Sequence, residues 1–246
     1  MSWVRSTAPS PRVRLIALPH AGGGTVEYRR WKGLIPADVD LNPVTLPGRE
    51  TRFSEPFIRR MDVLVPELAA ALGPLTRRTP YVLYGHSMGA WIAYELVREL
   101  QRLNRPLPDH LVVGGRRAPH LPATRSPLYQ LSDADLIEAI DRRYGGIPAA
   151  LRANAALMQI FLPVLRADFE LLDTYTWPGG EPLPVPITAL AGTEDTTVTV
   201  PEVRGWREHT TADFRLRMVA GGHFFHRDAK DATAAVVSGI VRGLRA

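Results

Sequence analysis

Gly85-His86-Ser87-Met88-Gly89 sits between a short apolar run, Tyr81–Tyr84, and the helical pattern that opens at Met88. A G-x-S-x-G segment with a strand before it and a helix after it describes a sharp strand-to-helix turn that projects its serine from the backbone. The turn brings neighbouring backbone too close for a Cβ, which explains glycine at 85 and 89. The N-terminus of the following helix directs free N–H groups and positive dipole at the same spot, where developing negative charge would be stabilised. Ser87 is therefore the candidate nucleophile, against the plainer reading of a structural turn.

The rest of the chain alternates short strand-like runs with longer helical stretches. Apolar or β-branched runs at Val13–Leu18, Leu41–Leu46, Tyr81–Tyr84, Leu111–Val113, Ile187–Ala191 and Phe214–Val219 read as strands. Trp3–Arg5 is a possible opening strand. Helical periods fill Ile58–Leu72, Met88–Leu103 and Ala229–Leu244. This alternation predicts an α/β fold in one domain, with a mostly parallel sheet of about six or seven strands between helices. One stretch, about 121–177, holds only helical pattern. Ser132 and Asp135 form a capping box there, Gly145-Gly146 supplies a stop, and Pro163 should kink the run Ala149–Phe161 or start another helix. An all-helical insert after a mid-sheet strand is placed to act as a lid over the strands' C-terminal ends, where such sheets bind ligands. Its apolar stripe is Leu157, Met158, Phe161, Leu162, Leu165 and Phe169. The stripe fits core packing as well as a substrate wall, with Met158, Phe161, Leu162 and Leu165 the candidate wall residues.

A serine hydroxyl is a weak nucleophile until a base removes its proton. The chain order serine, acid, histidine, with the histidine on a loop after the last strand, is that of the α/β-hydrolase fold. His223 meets it, after Phe214–Val219 and the flexible Gly221-Gly222; His226 is the rival. The acid should leave the end of the preceding strand, and Ile187–Ala191 runs into Gly192-Thr193-Glu194-Asp195. Asp195 is the choice and Glu194 the near alternative. A second oxyanion donor is expected after an early strand. Pro19-His20-Ala21-Gly22-Gly23-Gly24 follows Val13–Leu18 directly, which pairs the Ala21 N–H with that of Met88. The glycines could also cradle a phosphate, but neither G-x-G-x-x-G nor G-K-[ST] is present.

Composition closes other routes. With no cysteine among 246 residues, thiol catalysis and disulfides are excluded. No apolar run is long enough for a membrane-spanning helix, and the opening MSWVRSTAPSPRVR lacks an apolar signal core, which predicts a cytoplasmic protein. The net charge of +5 comes almost wholly from arginines spread along the chain without interleaved aromatics, which argues against nucleic-acid binding.

Several segments together resemble the type II thioesterases, the stand-alone editing hydrolases that accompany nonribosomal peptide and polyketide synthases. They are Pro19-His20-Ala21-Gly22-Gly23, Leu46-Pro47-Gly48-Arg49-Glu50 with Arg52, and Gly85-His86-Ser87-Met88-Gly89-Ala90. Further on come Gly115-Arg116-Arg117-Ala118-Pro119-His120, Leu162-Pro163 with Leu165-Arg166-Ala167-Asp168-Phe169, and Gly221-Gly222-His223-Phe224-Phe225. The resemblance implies Ser87, Asp195 and His223 as the catalytic residues and Ala21 and Met88 as the oxyanion amides. It implies a substrate held as an acyl thioester on the phosphopantetheine arm of an acyl or peptidyl carrier protein. A thiol leaves easily, so neither metal nor free cofactor is expected. A general carboxylester hydrolase and a non-catalytic acyl- or carrier-binding protein on the same fold are the competing readings.

Overall fold

The computed structural model describes residues 2–5, 11–77, 79–123, 126–145, 147 and 149–244. Among them, six strands form one all-parallel sheet in the order β2-β1-β3-β4-β5-β6. The strands are β1 (Val13–Leu18), β2 (Val39–Pro43), β3 (Tyr81–His86), β4 (His110–Gly114), β5 (Ile187–Gly192) and β6 (Phe214–Val219). Strand residues alternate between two apolar layers. Val13, Leu15, Ala17, Val82 and Tyr84 pack on Tyr28 of α1 (Val26–Arg29), on Trp31, and on Ala234, Val237 and Val241 of α9 (Lys230–Gly243). Ile16, Leu18 and Leu83 face the other way, onto α2 (Met61–Thr76) and α3 (Met88–Arg102). These near-continuous apolar strands, buried on both faces, are what a helix-covered parallel sheet demands.

β1 leads outward to β2 on one side and to β3 on the other, so the topological switch lies between β1 and β3. Leu18 is paired with Gly85 there, which sets the loop after β1 beside the turn after β3. Loops parted in this way leave a crevice at the strands' carboxyl ends.

Two strand expectations shift. β2 covers Val39–Pro43 rather than Leu41–Leu46, because its register with β1 pairs Val39 with Val13 and Pro43 with Ala17. Val44–Leu46 are buried by the loop that leaves the sheet. Trp3–Arg5 is not a strand; the Thr45 N–H donates to the Trp3 carbonyl and ties the segment to the loop after β2.

The expected insert contains α4 (Asp133–Tyr144), α5 (Ala149–Arg152) and α6 (Ala155–Asp173), and no strand among its described residues. Ser132 caps α4 by accepting from Asp135 N, and Gly145 ends it in the left-handed conformation. Gly146 lies outside the described residues. α6 runs unbroken through Pro163; the break falls instead before Asn154, whose side chain caps α6 by accepting from Leu157 N. The helices α7 (Val200–Arg204) and α8 (Phe225–Asp228) follow β5 and β6. No helix among the described residues is long and apolar enough to cross a membrane.

Candidate active site

Ser87 caps α3 with φ of 52°, a left-handed conformation that a side chain adopts at a cost and that surrounding structure must impose. Here the imposition is steric. A Cβ on Gly85 would lie 2.0 Å from the Gly89 carbonyl oxygen, and one on Gly89 would lie 2.3 Å from that of Leu18. The Ser87 N–H donates to Gly114 O at 2.7 Å, tying the turn to β4.

Ser87 Oγ is 3.0 Å from His223 Nε2, and His223 Nδ1 is 2.9 Å from Asp195 Oδ2. The His223 and Asp195 side chains are 4% and 1% exposed, dry enough for both contacts to act at low dielectric. Burial alone pushes the Asp195 carboxyl up. The hydrogen bond from His223, the imidazole's charge and two bonds from Thr197 outweigh it and hold the group below the ordinary aspartate range. Glu194, by contrast, is exposed.

Thr197 carried no signal in the sequence beyond its closeness to Asp195. Its N–H and its hydroxyl both donate to Asp195 Oδ1, at 2.8 and 2.6 Å. With its proton spent there, Thr197 Oγ1 offers lone pairs to His223 Nδ1 at 2.8 Å. The Nδ1–H is thereby shared between two oxygens, which selects the tautomer with a bare Nε2 facing Ser87.

The rival base lies elsewhere. His226 Nε2 is 2.9 Å from Glu27 Oε2, and the same carboxylate oxygen approaches His20 Nδ1 at 3.3 Å. Burial drives His226 and His86 well below the usual histidine range, with neighbouring histidines adding to the shift, and lowers His20 to about 4 despite the pull of Glu27. All three are neutral at neutral pH, so they add no positive charge beneath His223.

A cavity of about 40 Å³ opens on Ser87, lined by His20, Ala21, His223 and apolar side chains. α6 contributes Phe161, Leu165, Phe169 and Leu172, one helix stripe at the expected spacing. Met158 and Leu162 are not part of this lining. Met158 packs in the main core, Leu162 packs partly buried against the same core, and Leu157 is 48% exposed. Ile140, Tyr144, Ile147 and Phe224, none of them among the candidate wall residues read from the sequence, complete the wall.

The glycine loop after β1 is held from outside. Gly22, at φ of 76°, donates its N–H to Asp168 Oδ2 of α6 at 2.7 Å, and a Cβ there would strike Leu165 at 2.6 Å. Asp168 takes both terminal nitrogens of Arg49 at 2.7 and 2.6 Å, and Arg49 also donates to Gly23 O. Glu50 accepts from the Thr25 N–H and hydroxyl. The segment Arg49-Glu50 therefore clamps the loop that presents Ala21, while Met88 follows Ser87 as the first, fully buried residue of α3, where an N–H has no intrahelical acceptor.

The family model of the thioesterase domain matches residues 13–242, from β1 into α9. Thioesterase PikA5 of Streptomyces venezuelae is 36% identical over 228 residues, spanning 92% of this chain and 80% of the relative. Among solved structures, the thioesterase RedJ from the prodiginine pathway of Streptomyces coelicolor is 38% identical with a TM-score of 0.86, covering 94% of this chain and 86% of that one. BorB, a type II thioesterase from the borrelidin biosynthetic cluster, is 33% identical with a TM-score of 0.86 over 96% of each chain. The match takes in the turn, the glycine loop and the helical insert alike: this chain belongs to the thioesterase family, and it is a hydrolase of thioesters.

Proposed function

We propose that the chain removes acyl groups from the phosphopantetheine arm of acyl or peptidyl carrier proteins, as an editing partner of a polyketide or nonribosomal peptide synthase. The observation that carries the chemistry is the hydrogen-bonded line Ser87–His223–Asp195 opening onto an apolar chamber. The names of RedJ and BorB, which place those proteins in biosynthetic pathways, support the setting. A cytoplasmic location fits such a substrate.

In the first half-reaction His223 Nε2 takes the Ser87 proton as Oγ attacks the thioester carbonyl. The oxyanion is met by the N–H groups of Ala21 and Met88; losing one such donor typically costs about 100- to 1,000-fold in rate. Asp195 and Thr197 keep Nδ1 protonated and stabilise the imidazolium. Collapse breaks the C–S bond, and the proton on Nε2 passes to the departing sulfur. A thiol with a pKa near about 8.5 is a good leaving group, so the step needs no free cofactor and no metal. Water, deprotonated by His223, then releases the acid from Ser87.

A chamber of about 40 Å³ has room for a few waters and not for an acyl chain. Substrate entry therefore widens it, by moving the helical insert or turning Phe161 and Tyr144. Intact-mass analysis of acyl-loaded carriers before and after incubation tests this function. Loss of the acyl mass, with a matched oxygen ester spared, is expected; carriers left loaded while the ester is cleaved would mark a general esterase instead.

A further inference from the structure

Tyr144, Phe169 and Leu172 wall the chamber at Ser87, and behind them lies a second cavity of about 190 Å³. Its lining is of another kind, with Arg116, Arg117 and Arg143 beside Trp91 and Thr197. The two carboxylates at its edge act on these arginines, Asp173 on Arg116 and Arg143 and Glu202 on Arg117, and each is also held by neighbouring donors. Asp173 Oδ2 accepts from the Leu128 and Tyr129 amides at 2.6 and 3.2 Å, and Glu202 Oε2 accepts from the Thr199 N–H and hydroxyl.

Three guanidinium groups against two carboxylates leave the lining with positive charge in excess. Arg117 donates to the neutral carbonyls of Leu121 and Pro122. Arg143 and Arg116 form no ion pair among the described residues, and Arg116 Nε is buried without a hydrogen-bond partner. The Arg116 guanidinium lies 3.6 Å from the centre of the Trp91 ring, a stacking that orients it without neutralising it. Burial lowers this guanidinium to about 10, with Tyr144 and Asp173 opposing the shift. A cation held this way is stabilised by an incoming anion, and a planar guanidinium suits phosphate oxygens.

The backbone places the cavity against the reaction centre. The Arg116 and Arg117 carbonyls accept from the indole N–H groups of Trp206 and Trp91, at 2.8 and 3.0 Å. Gly115 precedes them at φ of 60°, where a Cβ would stand 3.5 Å from His223 Cε1. Thr197, bonded to both His223 and Asp195, is part of the lining. The cavity thus adjoins the His223 side of the site through Gly115 and Thr197 and also takes in Trp91 and Arg116.

We propose that this cavity binds the phosphate of the phosphopantetheine arm, with Arg116 and Arg143 as its principal contacts, while the acyl group occupies the apolar chamber across Tyr144. The proposal rests on the thioesterase reading above and extends it to the anionic part of the substrate. It explains why half-buried positive charge stands beside an apolar acyl site.

The test compares kcat/KM for hexanoyl-phosphopantetheine and hexanoyl-pantetheine, which differ only in the phosphate, at physiological ionic strength. The wild-type protein should prefer the phosphorylated thioester. Arg116→Gln and Arg143→Gln should each cut that preference about tenfold or more, the scale of a hydrogen bond to a charged group. Arg60→Gln, which alters an exposed arginine paired with Asp62, should keep it. If Arg116→Gln does not fold, Arg143 on α4 gives the answer. Equal turnover of both thioesters by the wild type, or a preference that survives both substitutions, would overturn the anion site, as would equal loss with Arg60→Gln. Failure to hydrolyse either thioester would remove the thioesterase reading itself, and the anion site with it.

Discussion

At Gly85 and Gly89 the turn around Ser87 is closed by backbone atoms 2.0 and 2.3 Å from where a Cβ would stand, all within a few residues or from the adjoining β1. The helical insert has no such closure. α6 leaves Leu157 and Ile160 about half exposed and meets the rest of the molecule through side chains, above all Asp168 on Arg49 and Gly22. The turn is a local object that changes of neighbouring side chains leave intact. The insert is held by long-range contacts, so single substitutions there should alter coupling and substrate choice before they alter chemistry.

The largest effect should come from the machinery around the turn. Asp195→Asn removes the carboxylate charge and one of the two acceptors that select the His223 tautomer, and should lower kcat about 10,000-fold with the fold intact. Glu194→Gln, on an exposed side chain, should stay within a few fold. Steady-state kinetics on an acyl thioester decide between them, and the reverse ranking would move the acid to Glu194.

The tie between the two regions comes next. Asp168→Asn strands the Arg49 charge in a buried site, which should cost about 3 to 5 kcal/mol in denaturant unfolding. Replacing the pair together, Arg49→Met with Asp168→Leu, should recover most of that stability. Turnover should stay depressed, because the Gly22 N–H next to Ala21 has lost its acceptor. Full recovery of both would make the pair a packing element with no hold on the glycine loop.

Within the insert the effects separate by helix face. Phe161→Ala should weaken selection for long acyl chains, since each buried methylene is worth about 0.8 kcal/mol, or roughly fourfold. Met158→Ala, in the core, should cost about 2 to 5 kcal/mol of stability and leave chain-length preference flat. Asp141→Ala, at a surface pair with Arg152, should do neither. Rates on acetyl, hexanoyl and decanoyl thioesters read all three variants.

The smallest effect is a pH slope. The folded chain holds His20 neutral down to about 4, whereas the unfolded chain protonates it near the ordinary histidine value of 6.5. The unfolded state binds more protons in that window, so stability falls as pH drops from 6.5 toward 4. His20→Asn should flatten the melting curve's pH dependence by about 1 kcal/mol at pH 5.5. An unchanged slope would mean His20 is protonated in the fold.

What the sequence disclosed follows the same division. The turn, Asp195 and His223 were legible because each sits directly after a strand that its own apolar run announces. Arg49 and Asp168 stood inside recognisable segments, yet nothing local says that side chains 119 residues apart meet. The α6 stripe had the right period, but period does not reveal which turn of a helix reaches a cavity, so Phe161 and Leu165 line it while Met158 and Leu162 do not. β2 was displaced because Val44–Leu46 owe their burial to a loop and not to strand pairing. Pro163 broke nothing, since apolar contacts on both sides hold α6 together across the missing N–H.

The central claim is that Ser87 carries the acyl group between the two half-reactions. Mixing the enzyme with a hexanoyl thioester, quenching in acid and mapping the peptides by mass tests it directly. One acyl group on the peptide containing Ser87, absent from Ser87→Ala, is the expected result. Turnover with no acyl group on that peptide, or a Ser87→Ala variant that still hydrolyses the thioester with a native circular dichroism spectrum, would contradict it.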